Sequence, residues 1–301
     1  MSSLCFSRIL LFAFFVVVSA TCTFKKEKGT AEDPIEFSMV PSKDTRSLLL
    51  SAEEFSRWME KETGLKFHVT VPTSYIAVVE AIGSKRVDLA YLNTTTYLLA
   101  RDKYGVEAKF ISYNADGSSH YKGQFLVRTN SKIKKIEDIQ GKKIAYVDPT
   151  SASGYILPAY LLKSKKIRPS QVVYAGKHDS VVTMVYQGQV DVGATFYSPP
   201  EKRQPMDARR LVAAQYPDVW KKLRILDFTT SLANDAFVVR ADLPEEMKEQ
   251  ILKAMEKWAS SPEGRINLKE LNNGAGIRRV NDAFYDESRK IIQEMSETFK
   301  P

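Results

Sequence analysis

The chain has 301 residues, 44% of them hydrophobic and 27% charged, a balance that excludes a disordered segment, a collagen-like repeat and a polytopic membrane protein. At this length a single core has stopped growing, so two lobes of about 100 to 150 residues each are expected. The net charge of +8 is spread among interleaved acidic residues; without a basic stripe and interleaved aromatics it suits a weak field attractive to anions, and no nucleic-acid partner is expected.

Residues 1–21 read as a signal peptide: one basic residue, Arg8, then an apolar run over residues 9–18, then the small residues Ser19 and Ala20. The apolar run is too short to span a bilayer comfortably. The two cysteines, Cys5 and Cys22, both lie in this region, so no disulfide or Cys-ligated metal is expected in the body. Cys22 stands where a bacterial lipoprotein signal carries its lipidated cysteine; the alternative is ordinary cleavage after Ala20. Residues 22–33 are polar and Lys-rich and read as a flexible tether between anchor and domain. Stable anchoring there needs more than one acyl chain.

From residue 35 the pattern turns to strand, helix, strand. Residues 35–40 form a short apolar run ended by Pro41, residues 48–62 carry apolar side chains at helical spacing, and residues 67–71 are β-branched and aromatic. Thr73 or Ser74 suits the cap of a helix over residues 75–82, and residues 87–92 read as a buried strand. A second block repeats this order, with strands over 144–147, 172–175 and 190–195 and helices over 155–163 and 181–186. The blocks align in register where Val79, Val87 and Asp88 match Val182, Val190 and Asp191, a shift of 103 residues that pairs Tyr75 with His178. This predicts two similar α/β lobes, with sheets covered by helices on both faces. The chain is expected to pass between them at residues 121–128 and 227–236, and helices over 245–260 and 282–299 to close the first lobe.

Tyr75 and His178 both fall where a strand has ended and a helix starts, the place where open α/β sheets bind ligands. Lobes that present such ends to each other surround a cleft with helix N-termini, which attract anions. The segment from Asp148 to Tyr155 also follows a strand and opens a helix. Ser151 and Ser153 there read either as plain N-caps or as part of an oxyanion site, with Gly154 admitting a ligand close to the backbone and Pro158 tolerated in the first turn. His178 reads as a ligand donor, as a structural histidine, or as the base of a hydrolase nucleophile built on Ser151 or Ser153. The serines lack a nucleophile-elbow context, and Asp179 is poorly placed to orient the ring. There are three histidines, His68, His120 and His178, and no zinc, P-loop or dinucleotide motif, so no metal or cofactor is expected. Tyr75, Tyr97, Tyr121 and Tyr155 lie at predicted element starts or lobe junctions and read as phenol donors or as packing. Asp235 either faces the cleft or ends a strand.

Taken together, Tyr75, Val87-Asp88, Tyr121, Ser131, Asp138-Ile139, Gly141-Lys142, Asp148-Pro149, Ser151, Ser153-Gly154-Tyr155, His178-Asp179, Gly188, Asp191 and Asn234-Asp235 resemble the phosphonate-binding solute receptors of ABC importers, in order and spacing from about residue 35 to about 295. The resemblance implies an α/β, type II periplasmic-binding-protein fold: two lobes joined by a two-strand hinge, residues 34–121 plus 235–301 forming one and residues 122–234 the other. It implies no enzymatic activity. Ser151, Ser153 and His178 become donors to a phosphonate, Tyr75 and Tyr121 the aromatic donors from the other lobe and the crossover, and Asp235 a carboxylate contact. Ala152 replaces a Thr common between the serines and leaves its backbone N–H. Relatives that hold an aminoalkyl phosphonate use two carboxylates; Asp235 matches one and the other falls at about Ser198, which favours phosphite, a short alkylphosphonate or phosphate. Neutral donors, rather than Lys or Arg, are expected to satisfy the oxyanion. The implied partners are an ABC permease and, through Cys22, the membrane, with the protein monomeric and in the periplasm or on the outer face of the cell membrane. A sulfonate or thiamine-precursor receptor is the alternative within the fold.

Overall fold

The computed structural model describes residues 27–299; the expected signal peptide and Cys22 lie outside the described residues. β1 (Ile35–Met39) leads through Pro41 to α1 (Thr45–Thr63), where the Asp44 carboxylate accepts from the Ser47 N–H at 2.9 Å and Gly64 turns the chain out in the left-handed region. β2 (Phe67–Thr70), α2 (Tyr75–Gly83) and β3 (Leu89–Leu92) complete the first βαβαβ run, and α3 (Thr94–Tyr104) and β4 (Glu107–Tyr113) extend it. After β5 (His120–Arg128), the second run is β6 (Lys143–Tyr146), α4 (Leu157–Ser164), β7 (Gln171–Tyr174), α5 (His178–Tyr186) and β8 (Val192–Tyr197), followed by a short α6 (Val219–Lys222) and a long β9 (Leu223–Ala233). The chain returns through β10 (Ala236–Val239), α7 (Glu245–Ser260), α8 (Pro262–Asn272), β11 (Gly276–Arg279) and α9 (Asp286–Phe299).

These strands form two sheets, ordered β11-β4-β10-β3-β1-β2 and β7-β6-β8-β5-β9. Each contains the same plan: the first strand of the run lies between its two parallel partners, and an antiparallel strand from the other part of the chain flanks the third. The aligned aspartates explain why the two blocks repeat. Asp88, just before β3, accepts from the Glu36 N–H at 2.9 Å, and Asp191, just before β8, accepts from the Lys143 N–H at 3.0 Å. Each carboxylate thus fixes the start of the first strand against the approach to the third. The first sheet buries an aromatic cluster of Phe37, Phe55, Phe237 and Trp258 under α1 and α7, with the Phe55 and Trp258 rings 4.7 Å apart in a T-shaped contact.

Several expectations change in detail. Residues 121–128 and 227–236 are largely strands of the second sheet, paired antiparallel with Tyr121 opposite Leu232. The crossings themselves are residues 114–119 and 234–235, held together by the Asn234 N–H donating to Ser119 O at 2.7 Å. α9, expected to close the first lobe, also reaches the second block: Met295 packs with Ala152, Leu157 and Leu232. The end of the expected tether is docked, because the fully buried Asp88 needs a cation and takes Lys28 at 2.6 Å together with Arg240 at 3.1 Å, while Gly29 accepts from the Lys66 N–H. Among the described residues no helix is long and apolar enough to cross a membrane.

Candidate functional site

A cavity of about 90 Å³ lies between the two sheets. A single water needs about 10 to 15 Å³ on this measure, so the space fits a solute of several heavy atoms. α2 and α5 both begin at its wall, each with a run of nine residues whose first residue lines the cavity: Tyr75 from the first sheet, His178 from the second. Neither helix is capped by a side chain, since Ser74 and Lys177 occupy the cap positions without accepting from the first turn. Two positive helix ends are therefore aimed at one small volume.

Tyr75 is buried, and its hydroxyl makes no well-formed hydrogen bond in the protein, with the Ser151 hydroxyl its one polar neighbour among the influences on the phenol that lower it. Burial and the carboxylates of Asp148 and Asp235 push the phenol well above its ordinary value, so it stays a neutral donor. His178 is buried with its ring edge against Phe196, centroids 5.0 Å apart. Burial pushes the imidazole down to about 3, so at neutral pH the ring is uncharged and offers one N–H. Its Nδ1 meets no partner, and Asp179, whose own carboxyl burial pushes up, leaves Oδ1 unpaired rather than orienting the ring. No charge pair makes His178 a base, which removes the support for a Ser-His nucleophile.

The serine segment is built differently from the expected helix. One π-helical turn, Ala152–Ile156, precedes α4, with the Ile156 N–H donating to Ser151 O at 3.0 Å. Pro158, without an N–H, falls in the first turn of α4 proper. The Ser151 hydroxyl accepts from the Gly154 N–H at 3.1 Å, so it is a cap and a cavity wall at once. Gly154 is required by the protein rather than by a ligand: a Cβ there would stand 2.4 Å from Val147 Cγ2 and 2.7 Å from Ser151 Oγ. Ser153 also lines the cavity. Ala152 does not: its methyl packs into the cluster with Leu157, Leu232 and Met295.

From the crossover side come Tyr121, on β5, and Asp235, between β9 and β10. Burial and Asp235 push the Tyr121 phenol up, and the Thr94 and Ser153 hydroxyls pull the other way. Asp235 opens onto the cavity and is half-buried; the protein packed around its carboxyl pushes it up to about 7 against a Tyr91 hydrogen bond that lowers it. Near neutral pH this group can present either a donor or an acceptor to a ligand oxygen. Tyr97 and Tyr155 are elsewhere: Tyr97 donates to Asp282, and Tyr155 packs edge-on against Tyr146 and Tyr174. Among the described residues no group of three or more His, Cys, Asp or Glu is placed to hold a metal.

The neutral donors do not stand alone. Lys43 and Arg210 also line the cavity. Lys43 sits in the loop after β1, the same strand-end position in the topology as Tyr75 and His178, and that placement is the signal that would have found it. Arg210 lies in a 3-10 turn, Ala208–Val212, between β8 and β9, where the pattern carries no signal. Asn93, the cap of α3, and Ser198 are among the further polar residues of the wall. Across the cavity the lobes are drawn together: the His178 N–H donates to Ser42 O at 3.0 Å, Lys177 Nζ to Thr45 Oγ1 at 2.8 Å, and Asn273 Nδ2 to Met206 O at 3.1 Å, with a Lys269–Glu201 ion pair at 2.6 Å.

The chain is 29% identical over 70% of its length to the phosphate-import protein PhnD of Mycolicibacterium smegmatis, covering 70% of that protein, and 24% identical over 80% of its length to the phosphonates-binding periplasmic protein of Escherichia coli, covering 70%. Among solved structures, the binding protein component of an ABC phosphonate transporter from Pseudomonas aeruginosa superposes with a TM-score of 0.78 at 19% identity, over 88% of this chain and 87% of that one. PhnD1 from Prochlorococcus marinus, solved in complex with methylphosphonate, gives 0.74 at 17% identity, over 87% and 98%. These two likenesses establish the fold, a two-lobed periplasmic binding protein. The family model described as ABC transporter, phosphonate, periplasmic substrate-binding protein matches residues 37–285, and the chain belongs to that family of exported receptors rather than to the enzymes.

Proposed function

We propose that this protein is the lipid-anchored receptor of an ABC importer, capturing a phosphorus oxyanion (a phosphonate, phosphite or phosphate) between its lobes and delivering it to a membrane permease. The observation that carries the reading is the convergence of two helix ends, one per lobe, with the hydroxyls of Tyr75, Tyr121, Ser151 and Ser153 on one small cavity. Oxyanion oxygens accept from these groups, from the His178 ring and from the N–H of Ala152, and Asp235 addresses an oxygen that still carries a proton. The first sheet with its helices moves as one body and the second sheet with its helices as the other, about the crossings at 114–119 and 234–235. Ligand contacts with both bodies favour the closed form, which is the surface a permease selects. Cys22, acylated after removal of residues 1–21, holds the monomer at the outer face of the membrane.

Calorimetric titration of the purified protein, stripped of bound ligand by unfolding and refolding, tests this with phosphate, phosphite, methylphosphonate and sulfate. One-to-one binding of a phosphorus oxyanion at micromolar or tighter affinity is expected. Binding of sulfate alone, or silence throughout with the fold intact, would show that the ligand class is wrong. Mass spectrometry of the protein from its producing cells tests the anchor: a diacylglyceryl group on Cys22 is expected, and an unmodified N-terminus at Thr21 overturns it.

A further inference from the structure

The cavity holds a second set of anion-binding groups that the oxyanion reading leaves unused. Lys43 comes from the first lobe and Arg210 from the second, and closure brings both into one wall. Like charges gathered in a partly buried site repel: burial and then the Arg210 charge push the Lys43 ammonium down to about 8, and burial lowers Arg210 as well. The acidic groups around them do not cancel this. Glu270 faces both cations but its side chain is exposed; Asp179 is a weakened acid with burial against its charge; Asp44 is exposed and already holds the start of α1. The protein supplies each cation with a carbonyl at the end of α8, Lys43 donating to Glu270 O and Arg210 Nη2 to Lys269 O at 3.3 Å. Those bonds leave most of the guanidinium donors unspent, and Arg210 Nε is buried with no acceptor.

We infer that the organic arm of the ligand ends in a carboxylate, held between Lys43 and Arg210 while its phosphonate oxygens occupy the serine and helix-end site. This rests on the receptor reading above and narrows its ligand to a class. A planar carboxylate matches the guanidinium fork, adds the missing acceptor for Nε and relieves the repulsion between two cations that closure would otherwise impose. It also locks the lobes, since one group comes from each. An arm ending in an ammonium is disfavoured by the same charges; Ser198, which also lines the cavity, gives it no anion, and Asp235, the one carboxylate of the wall, is placed with the oxyanion donors Tyr75 and Tyr121. The cavity of about 90 Å³ admits a phosphonate with a short carboxylated arm.

The test is calorimetric titration of the full chain in detergent, at neutral pH, with methylphosphonate, phosphonoacetate, 3-phosphonopropionate and 2-aminoethylphosphonate. At least one carboxylated compound is expected to bind tenfold or more tightly than methylphosphonate, and 2-aminoethylphosphonate more weakly than either. In Lys43→Met and Arg210→Met the ratio of carboxylated to methyl affinity is expected to collapse toward one. The wild-type ranking needs no variant, so it decides the question even if a substitution prevents folding. If methylphosphonate binds and neither carboxylated compound binds more tightly, the inference fails and the receptor reading stands. A carboxylate preference that survives both substitutions overturns the assignment to Lys43 and Arg210, and silence to all four compounds overturns both readings.

Discussion

Two titratable residues in the cavity wall oppose each other in pH dependence. His178 is pushed down to about 3, so between that pH and the ordinary histidine value the unfolded chain binds a proton that the folded one does not, and stability rises with pH. Asp235 is pushed up to about 7, so between the ordinary Asp value and 7 the folded chain keeps a proton that the unfolded one has lost, and stability falls with pH. From about pH 4 to 6.5 the two slopes, each at most about 1.4 kcal/mol per pH unit, oppose each other. Urea midpoints across that window are expected to steepen upward with pH in Asp235→Asn and to turn downward in His178→Gln; parallel profiles for wild type and both variants would refute the assignments. The paired serines separate by the same kind of test. Ser153→Ala is expected to weaken oxyanion binding about tenfold with little change in stability, whereas Ser151→Ala also removes a cap and costs about 1 kcal/mol of folding stability. Equal stability losses in the two variants would contradict this division.

At the scale of elements, the repeat is carried by hydrogen bonding as well as by hydrophobic pattern. Asp88 and Asp191 make the same backbone bond, yet only Asp88 is fully buried with two cations, Lys28 and Arg240. Asp88→Asn leaves those cations half-paired and is expected to cost about 3 kcal/mol, while Asp191→Asn, which retains an acceptor, stays under about 1 kcal/mol. Comparable denaturation midpoints for the two variants would count against the buried cluster. The π turn is the other element with a stake in function, because it presents Ser151 and Ser153 together. Gly154→Ala forces a methyl onto Val147 and is expected to cost about 1 to 3 kcal/mol and to reduce ligand affinity. Unchanged calorimetry and unchanged urea midpoint in that variant would mean the turn tolerates the Cβ.

For the whole molecule the question is what holds the lobes together. The Lys269–Glu201 pair crosses between them, but the two side chains keep 42% and 29% of their surface, so it is worth well under about 1 kcal/mol. Lys269→Ala is expected to raise the dissociation constant less than about fivefold at low salt, with the difference vanishing near 0.5 M salt, where the screening length is about 4 Å. A loss that persists at high salt would place more of the closure energy in this latch. Backbone contacts such as that from His178 N–H to Ser42 O also cross between the lobes. α9, which follows the first block, adds a further contact between the two, Met295 packing on Ala152, Leu157 and Leu232 of the second.

Local chemistry alone determined the strands and helices of both runs, the 103-residue register and the placement of Tyr75 and His178 at helix starts, because each depends on periodicity and capping within a few residues. It also marked Ser151, Ser153, Tyr121 and Asp235 as candidates for the cavity wall, where they lie. Tertiary structure decided the rest. Ala152 turns its methyl into a cluster with α9, Gly154 serves Val147 rather than a ligand, and Lys28 is drawn from the tether by a buried carboxylate. Lys43 and Arg210, 167 residues apart in the chain, become neighbours only when two lobes close on one cavity. Their proximity is a property of long-range packing, and no pattern over neighbouring residues encodes it.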